Sequence, residues 1–380
     1  MNNICFVSDF AYPLFNPTAK VTHGGSEVDM HAIATELVNH PHFVVSFVVG
    51  NFGQKDRETY GSITLYRSFR TNLHGWRRIT YAMFIAIPKL FLALRRAKAE
   101  VYFQEGAGYE TLLVAIFCRL ARKHFVYRVP SRVECTDEFL QLWPIMGRAF
   151  RIGLKMADAI VTQDEDEVEL LEKNLGLAST AVYSTTPIPE AAKLLPISKR
   201  KHVLWVGRLV AMKHPEILLR IAERYPEETF VLNGPAAPNN KAFNEQISLQ
   251  AARLPNLHFY QGMPRTELEE MYRNAKLFIN TSDFEGFPIT FIEAGKYGIP
   301  ILTLNVDPDG IFSKRYFGEC ANGDVDVLLA NVGSWLQDIQ KRDEAGRAFR
   351  EYVEKTNDIK KNIYAYVSLF NQLGTKKYSR

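Results

Sequence analysis

The segment KLFINTSDFEGFPITFIEAGKY, residues 276–297, carries the pattern that decides the fold. A short apolar run at 276–280 has the composition of a strand. A turn containing Gly286 and Pro288 follows, and residues 289–297 then show helical spacing. Strand, turn and helix in this order form the repeating unit of a parallel sheet with crossover helices. The segment therefore predicts an α/β domain.

The same alternation continues on both sides of this segment. Further strands are predicted at 3–8, 43–49, 62–66, 100–104, 124–129, 159–162, 202–206, 229–233, 257–260 and 299–304. Helices are predicted at about 214–224, 240–253 and 265–274, and one starting at Ser26, where Ser26 and Asp29 would form a capping box. Residues 184–200 contain three prolines and little periodicity, so we interpret them as a linker between two series of strands.

The length of the chain also favours two domains. A single hydrophobic core seldom grows beyond about 250–300 residues, and this chain has 380. The predicted fold is α/β, with two doubly wound Rossmann-like domains at 1–190 and 200–357 facing a cleft, where such sheets bind ligands. The apolar stripe at 358–373 (Ile359, Ile363, Tyr366, Leu369 and Phe370) predicts a last helix within 358–380. It could pack on the second domain or cross back to the first.

Composition excludes several classes of protein. With 46 Lys and Arg against 42 Asp and Glu, the chain lacks the basic excess of a dedicated nucleic-acid binder. Four cysteines without metal-ligand spacing argue against a disulfide scaffold or structural zinc, and fit a reducing cytoplasm. The apolar residues 3–7 follow no basic segment, so no signal peptide is predicted. The apolar stretch at 79–94 is too short for a spanning helix and predicts a buried one.

Three segments could hold a phosphate or a ribose at the end of a strand. Gly24 and Gly25 open a helix, whose free N–H groups attract anions. Arg208 follows a strand directly, and Lys213 precedes the next helix, so both cations could meet a diphosphate. In residues 283–293, the Gly-Pro turn separates Glu285 from Glu293, and a carboxylate in the helix could accept hydrogen bonds from a ribose diol. For the first two, a glycine turn or solvated surface cations are the simpler alternatives.

A fourth segment, residues 104–109, is another glycine turn between a strand and a helix. It matches only half of the dinucleotide-binding fingerprint, because Thr111 stands where the third glycine would be. We therefore reject nicotinamide binding and interpret the segment as a loop near the active site of the first domain.

The Gly24-Gly25 turn, the Arg208 and Lys213 pair, and the Glu285-x7-Glu293 segment resemble, in this order, glycosyltransferase family 4 enzymes of the GT-B fold. The resemblance covers nearly the whole chain and is more specific in the second half. It implies a retaining enzyme with an acceptor-side first domain, a donor domain at 200–357, and a C-terminal helix that packs back on the first domain. The donor would be a nucleotide diphosphate sugar, UDP- or GDP-linked, used without a catalytic metal or other cofactor.

The resemblance also implies roles for individual residues. Arg208 and Lys213 would hold the donor diphosphate, Glu293 the ribose, and Glu285 a hydroxyl of the transferred sugar. Further donor contacts would come from Gly24 and Gly25 in the glycine turn and from Met263 in the loop after strand 257–260. The turn that starts helix 289–297 would add Phe287, Pro288, Ile289 and Thr290.

One departure from the family concerns the acceptor. Many relatives place a histidine in a first-domain loop near the transferred sugar, whereas this chain offers Glu105 after one strand and Arg128 in another. Glu105 is therefore the candidate for orienting the acceptor. Catalysis would then rest on positioning the reactants, with Glu285 on the transferred sugar, and on electrostatic stabilisation of the departing diphosphate by Arg208 and Lys213.

Two acidic segments match the DxD pattern of metal-dependent transferases, 164–166 and 307–309. The first is typical of the acidic first turn of a helix, and the second of a proline turn. We expect neither to bind a metal.

Other functions and the acceptor stay open at this point. A sugar-nucleotide isomerase or a non-catalytic nucleotide-sugar binder could use the same scaffold. The acceptor would be a saccharide or a lipid-linked saccharide, in the synthesis of cell-surface polysaccharide or glycoconjugates. Residues 67–98 are rich in Arg and Lys and include Trp76, so they could contact anionic membrane lipids at the inner face of the membrane. A core helix with solvated basic ends is the alternative, and a cytoplasmic location is expected in either case.

Overall fold

The computed structural model describes residues 2–16, 19, 24–69, 82–183, 185–189, 194–236, 240–285 and 287–375, without the side chains at 82, 83 and 309. The chain forms two compact units. Unit 1 comprises Met1–Pro187 and Ile359–Arg380, and unit 2 comprises Ile188–Asp358.

The sheet of unit 1 starts at its centre and winds outward in both directions. Its strands are β1 (Asn2–Val7), β2 (Phe43–Val49), β3 (Arg57–Tyr60), β4 (Ile63–Arg67), β5 (Val101–Glu105), β6 (His124–Arg128), β7 (Ala159–Thr162) and β8 (Thr180–Ala181). They lie in the order β3-β4-β2-β1-β5-β6-β7-β8, all parallel except β3, which pairs antiparallel with β4. The continuous apolar runs of β1, β5 and β6 fit strands that are covered on both faces.

Helices cover both faces of this sheet. In chain order they are α1 (Tyr12–Phe15), α2 (Gly25–Leu37), α3 (Ile87–Ala97), α4 (Tyr109–Ala121), α5 (Glu138–Leu142), α6 (Pro144–Lys155) and α7 (Glu165–Leu175). Met30, Ile33 and Leu37 of α2 pack in one core with Phe6 and Phe47 of the sheet. The apolar sides of α3, α4 and α6 belong to a second core. This core lies on the opposite face of the sheet, because successive side chains of a strand point to opposite faces.

Unit 2 contains a second, wholly parallel sheet. Its strands are β9 (His202–Val206), β10 (Thr229–Asn233), β11 (Leu257–Tyr260), β12 (Ala275–Asn280), β13 (Ile301–Thr303) and β14 (Gly318–Cys320). Their order is β11-β10-β9-β12-β13-β14. The chain proceeds from β9 to one edge and then returns to add β12 on the other side of β9. The strand order therefore reverses between β9 and β12.

The helices of unit 2 are α8 (Pro215–Arg224), α9 (Lys241–Ala251), α10 (Arg265–Asn274), α11 (Ile289–Lys296), α12 (Ile311–Arg315), α13 (Val325–Gln337) and α14 (Ile339–Thr356). Trp205, Phe230 and Leu277 of the sheet lie in one core with Leu218 of α8 and Val332 of α13. Alternation of strand and helix thus produces a doubly wound domain, as the sequence predicts.

The last helix, α15 (Ile359–Thr375), packs on unit 1. Its buried residues Ile363, Tyr366 and Phe370 join the core that contains α2. The Phe103 ring of β5 lies 5.9 Å from the Tyr366 ring and 6.1 Å from the Phe370 ring, centroid to centroid. Of the two predicted alternatives, the return of the C-terminal helix to the first domain is confirmed.

Some local predictions need correction. Strands β3, β8 and β14 were not predicted, because they are short and lie at or next to the edges of the sheets. The capping box predicted for Ser26 and Asp29 is wrong. The helix begins at Gly25, and the Glu27 carboxylate accepts the N–H of Gly24 at 2.6 Å. Asp29 lies one turn further in and is buried, because it pairs with Arg128.

The apolar stretch at 79–94 lies partly outside the described residues. Its described part forms a short π-helical turn at Ala82–Ala86 followed by α3. Within the described part of the chain, no helix has both the length and the apolar character needed to cross a bilayer.

Candidate active site

The reversal of strand order in unit 2 brings two predicted residues together. Lys213 follows β9, and Glu285 follows β12, which is the neighbouring strand. The Lys213 ammonium lies 2.5 Å from the Glu285 carboxylate. In doubly wound sheets the carboxyl ends of strands at such a reversal form the usual ligand site. Unit 2 therefore places a charged pair where a ligand is expected.

The Glu285 carboxylate is held by three partners. Besides Lys213, it accepts a hydrogen bond from Ser282 Oγ at 2.7 Å and one from Asn280 Nδ2 at 2.9 Å. Burial favours the neutral acid, but the charge of Lys213 and these hydrogen bonds outweigh it and lower the pKa of Glu285. Glu285 is thus a fixed anion whose orientation is set by its own loop.

The loops after β9 and β12 are joined by their own hydrogen bonds. Trp205 Nε1 donates to Thr281 Oγ1 at 2.9 Å, and Thr281 Oγ1 donates to the Lys213 carbonyl at 2.5 Å. The Asp283 N–H donates to the Met212 carbonyl at 3.0 Å. These bonds fix the backbone on both sides of the Lys213–Glu285 pair.

His214 extends this junction and was missed in the sequence. Its ring bridges Asp283 Oδ1 at 2.9 Å and Glu216 Oε1 at 2.8 Å. Partial burial lowers the pKa of His214, but the two carboxylates outweigh this and raise it. Its position directly after Lys213 was the only signal in the sequence that could have identified it. Its partner Asp283 is 69 positions away in the chain, so the pair could not be predicted. Lys213 and His214 thus tie the loop after β9 to carboxylates of the loop after β12.

Arg208 differs from Lys213 in its surroundings. Its side chain is exposed at the end of β9, and among the described residues it forms no ion pair. The backbone beside it is fixed, because Leu209 is buried and its N–H donates to the Pro235 carbonyl at 3.1 Å. The backbone thus fixes the base of the Arg208 side chain at the strand end, while the guanidinium is exposed.

Glu293 lies in α11, where its side chain is buried and forms two ion pairs. Arg265 Nη2 lies 2.7 Å from one of its carboxylate oxygens and Lys296 Nζ 2.7 Å from the other. Burial opposes ionisation, yet the charges of Lys296 and Arg265 hold the pKa of Glu293 at about 2. Both cations were missed in the sequence, although Arg265 directly follows the predicted base-contacting loop. Glu293 is an anion at any physiological pH.

The residues of the predicted phosphate-binding turn, Phe287 to Thr290, lie at the start of α11. Phe287 and Pro288 are buried, whereas Ile289 and Thr290 are half-buried in its first turn. The amino end of a helix carries a partial positive charge, which favours an anion there. Met263 is half-buried in the loop that precedes Arg265 and α10. Gly286 lies outside the described residues.

In unit 1, Gly24 and Gly25 form the start of α2, as predicted for a glycine turn before a helix. His23 lies outside the described residues. The Glu105 side chain is buried, and its carboxylate lies 3.2 Å from Arg128 Nη1. Burial raises the pKa of Glu105, and the charge of Arg128 opposes this. Arg128 also pairs with Asp29, so the structure places Glu105 in an internal ion network.

The first aspartate of each DxD segment accepts backbone N–H groups at the start of the helix that follows it. Asp164 accepts the Glu167 N–H at 2.7 Å at the start of α7. Asp307 accepts the Phe312 N–H at 2.9 Å and the Ser313 N–H at 3.2 Å at the start of α12. Among the described residues no group of three metal-binding side chains is present.

Comparison with known families finds a match within unit 2. Residues 189–352 match the family Glycosyl transferases group 1. This match covers nearly the whole of unit 2, so the Lys213–Glu285 pair and Glu293 lie within the matched segment.

Curated glycosyltransferases are similar to part of the chain. The UDP-N-acetylglucosamine–peptide N-acetylglucosaminyltransferase GtfA subunit of Streptococcus parasanguinis is 23% identical over 253 residues, covering 64% of this chain and 45% of the relative. The O-antigen biosynthesis glycosyltransferase WbnH of Escherichia coli is 26% identical over 142 residues, covering 37% of this chain and 39% of the relative. The chain thus aligns with less than half the length of these relatives.

A solved structure shows the fold over the whole chain. Sucrose-phosphate synthase from Thermosynechococcus elongatus superposes with a TM-score of 0.77 and 19% identity, covering 98% of this chain and 99% of that one. The predicted GT-B fold, with two Rossmann-like α/β domains, is confirmed.

Proposed function

We propose that this protein is a retaining glycosyltransferase of family 4, which moves a sugar from a UDP- or GDP-sugar to a saccharide or lipid-linked saccharide. The observation that carries the proposal is the Lys213–Glu285 ion pair at the strand reversal of a group 1 domain. The names of the relatives support the substrate classes, since one uses UDP-N-acetylglucosamine and another acts in O-antigen biosynthesis. Synthesis of cell-surface polysaccharide or glycoconjugates is the proposed context.

The donor diphosphate would lie beyond β9, at the exposed guanidinium of Arg208 and the Lys213 ammonium. Arg208 can grip two phosphate oxygens at once. As the bond between sugar and diphosphate breaks, negative charge grows on the leaving phosphate, and cations that are already in place stabilise it without further reorganisation. The amino end of α11 adds a fixed partial positive charge.

The two glutamates would hold the ends of the donor. Glu285 is a fixed anion with three partners and can accept a hydroxyl of the transferred sugar on a remaining lone pair. Glu293 can accept the ribose diol while Arg265 and Lys296 keep it ionised. Met263 in the preceding loop would contact the base.

Glu105 is assigned differently in this proposal. Its carboxylate is buried and bound to Arg128, so we assign it to the internal ion network of unit 1 and not to the acceptor. No metal is used in the proposed reaction, and the location is cytoplasmic. Contact with the membrane through residues 67–98 is retained as part of the proposal, although 70–81 lie outside the described residues.

The experiment that tests this function has two steps. Thermal shift with UDP, GDP and ADP should first identify one base whose diphosphate raises the melting temperature, because a ligand that binds only the folded state stabilises it. The matching nucleotide sugars, labelled in the sugar, are then incubated with and without an extract of acceptor saccharides and lipids. Label that moves only when acceptor is present supports transfer.

The alternative functions give other results. A sugar-nucleotide isomerase would convert the donor without any acceptor, and a non-catalytic binder would show the thermal shift without release of nucleoside diphosphate. Either result would overturn the proposal.

A further inference from the structure

Three helices of unit 1, α3, α4 and α6, form one continuous layer over a face of the sheet. The rings of Phe91 in α3 and Phe117 in α4 pack edge to face, with centroids 5.6 Å apart. Gly153 of α6 approaches α4 so closely that a Cβ atom there would lie 2.7 Å from backbone atoms of Thr111 and Leu112. The outward sides of the three helices therefore make a single surface, which we call the α3–α4–α6 face.

Large apolar side chains on this face are exposed. Phe84 and Leu120 are each 75% exposed, and Ile145 is 73% exposed. Others in these helices, in the turn before α3 and in the segment before α6 are Ile85, Leu92, Tyr109, Leu142, Trp143 and Ile152. Exposed apolar side chains that gather on one surface mark sites that bind a partner or a membrane.

The charges on this face have one sign. The exposed cations of the three helices and their caps are Lys89, Arg95, Arg96, Lys98, Arg119, Arg122, Arg148 and Lys155. Helices α3 and α6 contain no Asp or Glu. The one acidic residue of α4, Glu110, is hydrogen-bonded to Asp9 at the end of β1.

The carboxylates around the rim of the face are mostly neutralised. Asp56 pairs with Arg67 and lies 3.2 Å from Arg96, and Asp137 pairs with Arg151. Glu138 in α5 is exposed at the rim.

The clearest element of the face is α6. Ile145, Arg148, Ile152 and Lys155 follow each other at intervals of three or four residues, so they form one exposed stripe along the helix. Gly147, Phe150 and Leu154 on the opposite side are buried. Trp143, directly before α6, is 48% exposed. An exposed stripe that carries both apolar and cationic side chains can meet the apolar and anionic parts of a membrane surface at once.

We propose that the α3–α4–α6 face binds the surface of a bilayer that contains anionic lipid. The cations would meet lipid headgroups, while Trp143, Ile145 and Ile152 would enter the boundary between headgroups and acyl chains. An acidic protein would satisfy the cations but leave these apolar side chains against polar groups, so a bilayer fits better. This inference deepens the membrane contact named in the proposed function, because it adds α4 and α6 to the basic segment 67–98. It does not depend on the donor site of unit 2, so binding to vesicles can fail while sugar transfer is observed, and the reverse.

The test is sedimentation of the full-length protein with vesicles. Vesicles of phosphatidylcholine alone are compared with vesicles that also contain phosphatidylglycerol, at low and high salt. We expect binding that requires phosphatidylglycerol and weakens with salt. The double variant Arg148→Glu/Lys155→Glu should lose about twentyfold in affinity for the anionic vesicles. The matched control is Arg220→Glu/Lys241→Glu on α8 and α9, two exposed cations of unit 2, and it should bind as the wild type does.

A second pair of variants tests the apolar side chains. Ile145→Ser/Ile152→Ser should weaken binding to anionic vesicles even at low salt, whereas Leu249→Ser/Tyr316→Ser, at exposed positions of unit 2, should not. All these side chains are exposed, so each variant should melt at the wild-type temperature, which is checked first. Equal binding by both charge-reversal variants, or no binding to anionic vesicles at low salt, would overturn the proposal. Binding of the protein to immobilised polyglutamate but not to anionic vesicles would instead indicate an acidic protein partner and would also overturn the proposal.

Discussion

The ammonium of Lys213 lies 2.5 Å from the carboxylate of Glu285, although the two residues follow different strands of the unit 2 sheet. They meet because β9 and β12 are neighbours and run parallel, so their carboxyl ends share one edge. In the proposed reaction the Lys213 ammonium binds the diphosphate of the donor, and the Glu285 carboxylate binds its sugar.

Removal of the cations should weaken donor binding. Arg208→Ala and Lys213→Ala should each lose about 1.5–3 kcal/mol of nucleoside-diphosphate affinity, the size of a charge-assisted hydrogen bond. Isothermal titration calorimetry measures this loss. Lys241→Ala, at an exposed lysine of α9, serves as the control and should leave affinity unchanged. Wild-type affinity in both site variants would show that the diphosphate does not lie at the end of β9.

The two glutamates should give different defects. Glu285→Ala should reduce turnover strongly and leave nucleoside-diphosphate affinity within a few fold, because its proposed partner is the sugar. Glu293→Gln should reduce affinity about tenfold for nucleotides with a free ribose diol, the value of one hydrogen bond to a charged group. Its affinity for 2′,3′-dideoxy analogues should change less. Identical affinity losses for both variants would mean that the two roles are assigned wrongly.

The pKa of Glu293 predicts a pH dependence of stability. In the folded protein that pKa is about 2, below the value of about 4.3 for an unfolded glutamate. A depressed pKa stabilises the fold above the unfolded value, and this stabilisation is lost as pH falls through the folded value. The difference in unfolding free energy between wild type and Glu293→Gln should therefore be constant above about pH 5 and shrink between about pH 4 and 2. Urea unfolding at several pH values measures it, with the exposed Glu267→Gln as the control.

The last helix should contribute strongly to unit 1. Phe370 is fully buried against Phe103 and Tyr366, so Phe370→Ala should cost about 3–5 kcal/mol of unfolding free energy. Denaturant unfolding measures the loss. Gln372→Ala, an exposed residue of the same helix, should change stability by about 0.5 kcal/mol or less. A small effect of Phe370→Ala would show that α15 is not held in the core.

The roles of the DxD segments predict behaviour toward chelators. Asp164 and Asp307 already accept backbone N–H groups at the starts of α7 and α12. Transfer should therefore persist in EDTA at an undiminished rate, measured as release of nucleoside diphosphate. Activity that EDTA abolishes and manganese restores would make one of these segments a metal site.

The sequence determined the local structure and the class of fold. Strands such as 43–49 and 257–260, and the helix 265–274, were predicted with the bounds that the structure has. This succeeds because side-chain periodicity is set by backbone geometry within a single element. The Gly-Pro turn between Glu285 and Glu293 was also sufficient to predict that strand 276–280 is followed by a helix, which the structure contains as α11.

Only the tertiary structure decided which residues meet. Arg265 binds Glu293 across 28 positions of sequence, and His214 binds Asp283 across 69. Glu105 contacts Arg128, because β5 and β6 are adjacent and the two residues are partners in the register of these strands. The pattern of one strand or helix cannot specify such pairs, since the order of strands and the side chains that a helix leaves exposed depend on packing between distant segments. For the same reason the exposed stripe of α6 became visible only after its other side was seen to be buried on α4 and the sheet.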